Sequence, residues 1–103
     1  MFNVITRKTL LAYMAKYPLA NNSLSKWYSE ILESDFSSFN ELKEVYKNAS
    51  LVADNRVVFN IKGNDYRLVV RILFDYKAIQ IKWFGTHKEY DKINVETIEF
   101  QKP

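Results

Sequence analysis

The sequence predicts an α+β domain, in which helices come first along the chain and an antiparallel sheet follows. Residues 6–46 carry apolar side chains at helical spacing in three successive stretches. Residues 57–84 instead alternate apolar and polar side chains, which is typical of strands with one buried face. The apolar face of such a sheet needs a cover, so we expect the helices to pack on it.

Cap and turn residues set the ends of the predicted helices. Thr6 can cap the first helix, and Pro18 ends it. A turn and cap cluster at 21–23 precedes the second helix. Residues 38–41, Ser-Phe-Asn-Glu, match a capping box, which predicts a short third helix over Phe39–Tyr46.

The sheet begins with a tight hairpin. Val57–Lys62 and Asp65–Phe74 flank Gly63-Asn64, a pair suited to a turn with positive φ angles. Pairing across this turn sets Ile61 opposite Tyr66. Shorter strand candidates lie at Phe2–Ile5 and Leu51-Val52.

A second hairpin decides which side chains share a face. Its predicted loop, Asp75–Ala78, sets Arg71 opposite Lys82 and Val70 opposite Trp83, so that Trp83 lies on the apolar face. The other face then carries cations with no acidic residue to neutralise them. An anion such as phosphate would turn the repulsion between Arg71 and Lys82 into binding energy. The polar residues of this face are Asn60, Lys62, Arg67, Arg71, Gln80 and Lys82.

The C-terminal part departs from this alternation. Thr86 can cap a final turn of helix over His87–Lys92. Residues Ile93–Phe100 alternate weakly, and both a tail and an edge strand fit them. The 103 residues fit a single domain, in which the role of the tail from about residue 94 stays open.

Composition narrows the classes of function. The chain has no cysteine, which excludes disulfides, cysteine-ligated zinc and thiol chemistry. Its net charge of +3 is only mildly basic. No apolar run reaches membrane-spanning length, and the N-terminus lacks a signal-peptide pattern. We therefore expect a cytoplasmic protein that does not associate with a membrane.

Groups suited to phosphodiester chemistry come from several parts of the sheet region. His87 is the only histidine, and it shares a helical face with Tyr90, three residues further on. Arg67, Arg71 and Lys82 are expected at the same rim. A general base, a phenol and fixed cations together suit cleavage of a phosphodiester. The single histidine and the absence of a glycine-rich phosphate loop lead us to expect no metal and no cofactor.

Two segments resemble the HigB family of type II toxins. Residues 58–69 read VFNIKGNDYRLV, and residues 86–91 read THKEYD. The likeness extends from Phe2 to Lys92. HigB toxins resemble the RelE superfamily of small bacterial ribonucleases, which have two or three helices packed on one face of a twisted antiparallel sheet. The resemblance implies a RelE-like fold here.

The resemblance also implies a function and partners. The family consists of mRNA interferases that usually cut mRNA on the translating ribosome. It implies a HigA-type antitoxin with a helix-turn-helix, and contact with operator DNA only through the antitoxin complex. RelE-like enzymes use lysines, arginines and often a tyrosine rather than a metal. Residues that match the family motifs are Asn64, Arg67, His87, Glu89, Tyr90 and Asp91.

We therefore predict a metal-independent endoribonuclease in which His87 or Tyr90 takes the proton from a ribose 2′-hydroxyl. Predicted catalytic residues are His87, Tyr90, Arg67 and Lys82. Predicted RNA-binding residues are Arg71, Lys62, Asn64, Asn60 and Lys88. The alternative is a non-catalytic module that binds RNA or protein through the basic sheet face.

Overall fold

A computed structural model describes residues 1–100 and confirms the α+β class. The helices of this part of the chain are α1 (Arg7–Lys16), α2 (Asn21–Glu33), α3 (Phe39–Val45) and the short α4 (His87–Tyr90). The strands are β1 (Asn3–Val4), β2 (Ser50–Val52), β3 (Arg56–Ile61), β4 (Tyr66–Leu73) and β5 (Ala78–Thr86).

The strands form one sheet in the order β1-β5-β4-β3-β2. Strands β2 to β5 pair antiparallel, as predicted, because short turns join them. Strand β1 pairs parallel with β5, so the sheet is mixed. Along the chain, helices α1, α2 and α3 separate β1 from the other strands. Strand β1 is therefore not joined to its neighbour by a hairpin turn, which would have made the pair antiparallel.

Helices α1, α2 and α3 cover one face of the sheet. Their apolar stripes bury Leu10, Leu24, Ile31 and Leu42 in the core, each with at most 2% of its surface exposed. Facing them from the strands are the buried side chains of Val57, Phe59, Leu68, Val70, Ile72, Ile79, Ile81 and Phe84. The helix-covered face is therefore the continuous apolar core that the alternation predicted.

The helix ends differ in detail from the predictions. The cluster at 21–23 lies inside α2, because a 3₁₀ turn over Pro18–Ala20 makes the connection instead. Ser38 caps α3 by accepting a hydrogen bond from the Glu41 N–H at 3.4 Å, whereas the Glu41 carboxylate binds the N–H of Ser37. The capping box of α3 is thus only half formed.

Thr6 stands at the N-terminal end of α1, but its side chain does not cap the helix. Its hydroxyl oxygen accepts a hydrogen bond from the backbone N–H of Ile81, at 2.6 Å. This N–H lies just beyond the point where β1 stops pairing with β5. Thr6 therefore continues the ladder that the two-residue strand leaves unfinished.

The first hairpin has the predicted register, with Ile61 opposite Tyr66 and Asn60 opposite Arg67. Positive φ angles occur at Lys62 and Gly63 rather than at Gly63 and Asn64. The backbone reversal thus begins one residue earlier than predicted, and it leaves Asn64 free to contact β4 with its side chain.

The predicted register of the second hairpin is wrong. The loop consists of a 3₁₀ turn over Phe74–Tyr76 followed by Lys77 in the left-handed conformation, so Arg71 pairs with Gln80 rather than with Lys82. A β-bulge follows further along the pair. Val70 lies opposite Ile81 and Val69 lies opposite Trp83, which leaves Lys82 as the extra residue.

The bulge moves Trp83 to the face of the sheet opposite the helices. There Trp83 packs with Val58 and Val69 in a second apolar cluster. The segment 93–99, which we call the C-terminal strap, covers this cluster with Ile93, Val95 and Ile98. Residues 93–100 are therefore neither an edge strand nor a free tail, and the second face is not an open charged surface.

Among residues 1–100, every helix is too short or too polar to span a lipid bilayer.

We expect Thr6→Val to lower the free energy of unfolding by about 1–3 kcal/mol, because it leaves the buried Ile81 N–H without an acceptor. Urea denaturation followed by circular dichroism measures this change. Thr9→Val makes the same chemical change inside α1 and keeps the Thr6–Ile81 hydrogen bond, so it should stay within about 0.5 kcal/mol of the unmodified protein. Equal losses in the two variants would contradict the role given to Thr6.

Candidate active site

The family-like segments meet where the β3–β4 turn lies beside the start of α4. The backbone N–H of His87 donates a hydrogen bond to the carbonyl of Asp65 at 2.9 Å. In the neighbouring pair of strands, Arg67 lies opposite Gly85. The hairpin turn, β4 and α4 are therefore joined at one end of the sheet.

Arg67 is held in place by this turn. Its Nη2 donates to the side-chain oxygen of Asn64 at 2.7 Å, and its Nη1 donates to the backbone carbonyls of Asn64 and Tyr66, both at 3.1 Å. Its guanidinium carbon lies 6.0 Å from the centre of the Tyr90 ring, at the limit of a cation–π contact. Asn64, Arg67 and Tyr90 thus form one connected group.

Helix α4 is fixed by a complete capping box. The Thr86 hydroxyl accepts from the Glu89 N–H at 3.1 Å, and the Glu89 carboxylate accepts from the Thr86 N–H at 2.8 Å. The same carboxylate oxygen also accepts from the Tyr17 hydroxyl, at 2.8 Å. Glu89 therefore ties the helix that carries His87 and Tyr90 to the end of α1.

These hydrogen bonds change the acidity of both partners. Burial by itself would raise the pKa of the Glu89 carboxyl, but the bonds from Thr86 and Tyr17 outweigh it and hold that pKa below its ordinary value. The pKa of Tyr17 is raised, first by burial and then by the adjacent Glu89 carboxylate. Glu89 thus stays ionised, and Tyr17 stays a donor.

Aromatic rings pack around Tyr17, the residue that binds Glu89 of α4. Tyr66 and Phe84 stack with ring centres 5.3 Å apart, and Tyr17 meets both rings edge-on. The Trp83 ring passes directly over Gly85, where a Cβ would lie 2.5 Å from Cη2 of Trp83. Only glycine fits there without moving the ring.

Tyr90 and His87 differ in their surroundings. Tyr90 packs beside Trp83, and burial raises the pKa of its phenol, although the nearby Arg67 opposes the shift. His87 is half exposed, and its Nε2 lies 3.9 Å from the Asp91 carboxylate. The phenol is therefore a hydrogen-bond donor at neutral pH, whereas His87 is open to solvent beside an anion.

An open depression of about 510 Å³ adjoins these groups. Its lining residues include Lys62, Asn64, His87, Lys88, Tyr66 and Leu19. Two lysines, one of them paired with Asp65, and several hydrogen-bonding groups thus surround a space beside an exposed leucine and a tyrosine ring. Such a lining suits a ligand with anionic groups and flat rings.

Three of the predicted site cations have acidic partners, and one of them is Lys62, whose Nζ lies 3.5 Å from an Asp65 oxygen. Lys82 Nζ lies 2.9 Å from a Glu99 oxygen, and Arg71 Nε lies 3.5 Å from an Asp54 oxygen. The prediction that no acid neutralises this face is therefore wrong. It failed because alternation within the strands carries no information about residues that arrive from a turn or from the strap.

The contacts of the described residues divide the predicted site into two groups. Arg67, Asn64 and Tyr90 are joined at the α4 end, with Lys62, His87 and Lys88 around the adjacent depression. Lys82 and Arg71 lie further along the sheet with their acidic partners. Asn60 pairs across the strands with Arg67.

Sequence reasoning missed Arg56, which is a buried cation with 4% of its surface exposed. It donates to the carbonyls of Val95 and Ile98, at 3.2 and 2.5 Å, and to Glu99 at 2.6 Å. A signal was available, because Arg56 precedes Val58 and Asn60 at intervals of two along β3 and so shares their face. The roles of Tyr17 and Glu99 depend on contacts more than 15 residues apart and gave no local signal.

Comparison with known families shows which family this chain matches. A family model named HigB toxin, described as the RelE-like toxic component of a toxin-antitoxin system, matches residues 20–93. The chain belongs to the HigB toxin family. The matched range contains the β3–β4 turn and all of α4, whereas Tyr17 precedes it. Membership in the family implies a cognate antitoxin as partner.

Individual relatives match most of the chain. The mRNA interferase toxin HigB of Escherichia coli strain K12 is 32% identical over 91 residues, which cover 86% of this chain and 88% of the relative. The mRNA interferase HigB of Shigella flexneri gives the same values. That of Escherichia coli O6:H1 is 28% identical over 93 residues, covering 88% of this chain and 90% of the relative. The resemblance seen in the sequence is therefore confirmed.

We expect Glu89→Gln to lower the free energy of unfolding at neutral pH, and the difference from the unmodified protein to shrink in acid. Because the folded pKa of Glu89 is below its ordinary 4.5, its stabilising effect is complete above that value and is lost as the pH falls through the folded pKa. Urea denaturation at a series of pH values measures the difference. Glu96→Gln is the matched control, and a Glu89→Gln difference that did not vary with pH would contradict the assignment.

Proposed function

We propose that this protein is the toxin of a type II toxin–antitoxin system, and that it is a metal-independent endoribonuclease that cleaves mRNA on the translating ribosome in the cytoplasm. The observation that carries the proposal is the joined group of Asn64, Arg67 and Tyr90 beside His87, within the segment that matches the HigB family. The relatives named mRNA interferase support the choice of mRNA as substrate.

The chemistry follows from the groups at this site. His87 takes the proton from a ribose 2′-hydroxyl, since an imidazole can accept a proton near neutral pH. The 2′-oxygen then attacks the adjacent phosphorus. The bond to the 5′-oxygen breaks, and that oxygen takes a proton from solvent. A 2′,3′-cyclic phosphate and a 5′-hydroxyl result, and DNA is not cut because it lacks the 2′-hydroxyl.

The other groups act on charge. Asp91 stabilises the imidazolium that forms when His87 takes the proton. Tyr90, whose raised pKa keeps its proton in place, and Arg67, oriented by Asn64, donate hydrogen bonds to the phosphate oxygens as negative charge builds up. One well-placed donor of this kind contributes about 3–4 kcal/mol to the transition state.

The remaining predicted residues act on the RNA backbone. Lys62 and Lys88 line the depression beside His87, where a neighbouring nucleotide would lie. Lys82 and Arg71 hold phosphates further along the sheet, and the ion pair of Lys82 with Glu99 favours this role over direct catalysis. Asn60 is a further RNA contact, because it lies directly across the strands from Arg67.

The partner that this function needs is a HigA-type antitoxin with a helix-turn-helix, and operator DNA is bound only through the complex of the two proteins. An antitoxin has two ways to silence such a site. It can cover the cationic groups with acidic residues, or it can bind the helical side and prevent entry into the ribosome. A structure of the complex distinguishes them by whether His87 and Arg67 are covered.

We expect His87→Ala to slow cleavage by about 10²–10⁴-fold, as loss of a positioned general base does.

Tyr90→Phe should slow cleavage by about 10²–10³-fold, as loss of a donor to the transition state does. Primer extension on message from translating ribosomes measures the cleavage rates of both variants. Lys8→Gln on α1 is the control, because it changes a surface residue outside the proposed site and should leave the rate unchanged. Undiminished cleavage by the His87→Ala, Tyr90→Phe double variant would reject the assignment of these two residues. Absence of both cleavage and growth arrest with the unmodified protein would instead favour a non-catalytic binding module.

Metal independence has a separate test that keeps the Mg²⁺ that ribosomes need. Sulfur in place of a non-bridging oxygen of the scissile phosphate should slow cleavage equally in Mg²⁺ and after addition of Mn²⁺, because no metal contacts that oxygen. Mn²⁺ accepts sulfur more readily than Mg²⁺ does. Recovery of the cleavage rate in Mn²⁺ would mean that a metal takes part.

Ribosome dependence is tested with the same message. Its cleavage in the absence of ribosomes would contradict that part of the proposal.

A further inference from the structure

The Glu99 carboxylate of the C-terminal strap bridges two cations that belong to the sheet. One oxygen lies 2.6 Å from Arg56 Nη2, and the other lies 2.9 Å from Lys82 Nζ. The Glu99 side chain is 59% exposed, whereas those of Arg56 and Lys82 are 5% and 17% exposed. The anion is therefore the outermost of the three groups, and it lies between the cations and solvent.

Arg56 is held by contacts other than the one with Glu99, and the backbone of Lys82 is fixed by the strand pairing. Arg56 donates through Nη1 to the carbonyls of Val95 and Ile98, which belong to the strap. The strap is itself anchored by Ile93, Val95 and Ile98 on the apolar cluster around Val69. Lys82 is the extra residue of the β-bulge, so its backbone is fixed by the pairs on either side. Departure of the Glu99 side chain alone would leave Arg56 and the backbone of Lys82 in position.

This arrangement has the chemistry of a phosphate site. A phosphodiester, like a carboxylate, shares one negative charge between two oxygens, which can accept hydrogen bonds from two donors at once. Arg71, directly across the strands from Arg56, adds a third cation, which Asp54 partly neutralises at 3.5 Å. Arg67 lies on the same face of β4 as Arg71, roughly 13 Å away along the strand at about 3.3 Å per residue. The two groups of cations could thus contact one strand of RNA.

We propose that Arg56 and Lys82 form a second binding site for a backbone phosphate of RNA, and that Glu99 occupies this site until RNA displaces it. The inference rests on the proposed function, because it concerns the same substrate. An exposed carboxylate is easily exchanged for another anion, whereas a buried guanidinium with no anion at all would be costly. The exchange keeps Arg56 neutralised throughout.

The test compares two single charge removals in the strap. Binding of a short single-stranded RNA with 2′-O-methyl riboses is measured by fluorescence anisotropy, so that no cleavage takes place. Glu99→Gln should bind this RNA up to about fivefold more tightly than the unmodified protein, the equivalent of about 1 kcal/mol for displacing the exposed Glu99 carboxylate. Glu96→Gln removes the same charge from an exposed neighbour in the strap and should change affinity less. Adding Lys82→Gln to Glu99→Gln should abolish the gain.

The outcomes separate this inference from the proposed function. Equal affinities of Glu99→Gln and Glu96→Gln would mean that only net charge matters, and would overturn the phosphate site. Weaker binding by Glu99→Gln would mean that Glu99 is needed to hold Arg56, and would overturn it as well. Either result leaves cleavage of message by the unmodified protein as it was. Failure of the unmodified protein to cleave would reject the proposed function instead.

A measurement on the unmodified protein avoids the folding of variants altogether. Hydrogen bonds and ion pairs with Lys82 and Arg56 lower the pKa of Glu99 in the free protein. A carboxyl-detected NMR titration with the same RNA should show this pKa rising toward the ordinary value of 4.5 as phosphate takes its place. A pKa that stays low at saturating RNA would overturn the proposal.

Discussion

The β-bulge at Lys82 is the constraint on which the rest of the site depends. The extra residue shifts the alternation of side chains along β5 by one position. As a result, Ile81 and Phe84 face the helices, while Trp83 and Gly85 face the other way. Arg67 consequently lies opposite a residue with no side chain. The same extra residue turns Lys82 toward the C-terminal strap. One inserted residue therefore positions both groups of cations.

Rigidity at the α4 end comes from contacts between distant parts of the chain. Glu89 is bound both by its own helix and by Tyr17, which reaches it from the end of α1. Asp65 in the β3–β4 turn binds the N–H of His87. A catalytic group must be held close to its productive geometry, and a four-residue helix has too few internal hydrogen bonds to do so alone. The packed surroundings supply that constraint.

Much of the architecture could be predicted because its signals are local. The first hairpin register follows from Gly63 and the alternation on either side, and the cap at Thr86 follows from Glu89 three residues later. The second register could not be predicted in the same way. A bulge adds one residue to a strand and so breaks the alternation of apolar and polar side chains at a place that the alternation itself does not reveal. The only hint in the sequence was the pair of adjacent aromatic residues Trp83 and Phe84, which pack on opposite faces of the sheet.

The sequence by itself determined the α+β class, the faces of the first hairpin, the capped turn with His87 and Tyr90, and the likeness to HigB toxins. Each of these depends on residues close together in the chain or on a motif with fixed spacing. Only the tertiary structure decided that Arg67 donates to Asn64 and lies against the Tyr90 ring. The same holds for the ion pairs of Glu99 with Arg56 and Lys82. Such pairings depend on how the packed chain brings distant segments together, because an ion pair forms wherever folding places the charges side by side, regardless of their separation in sequence.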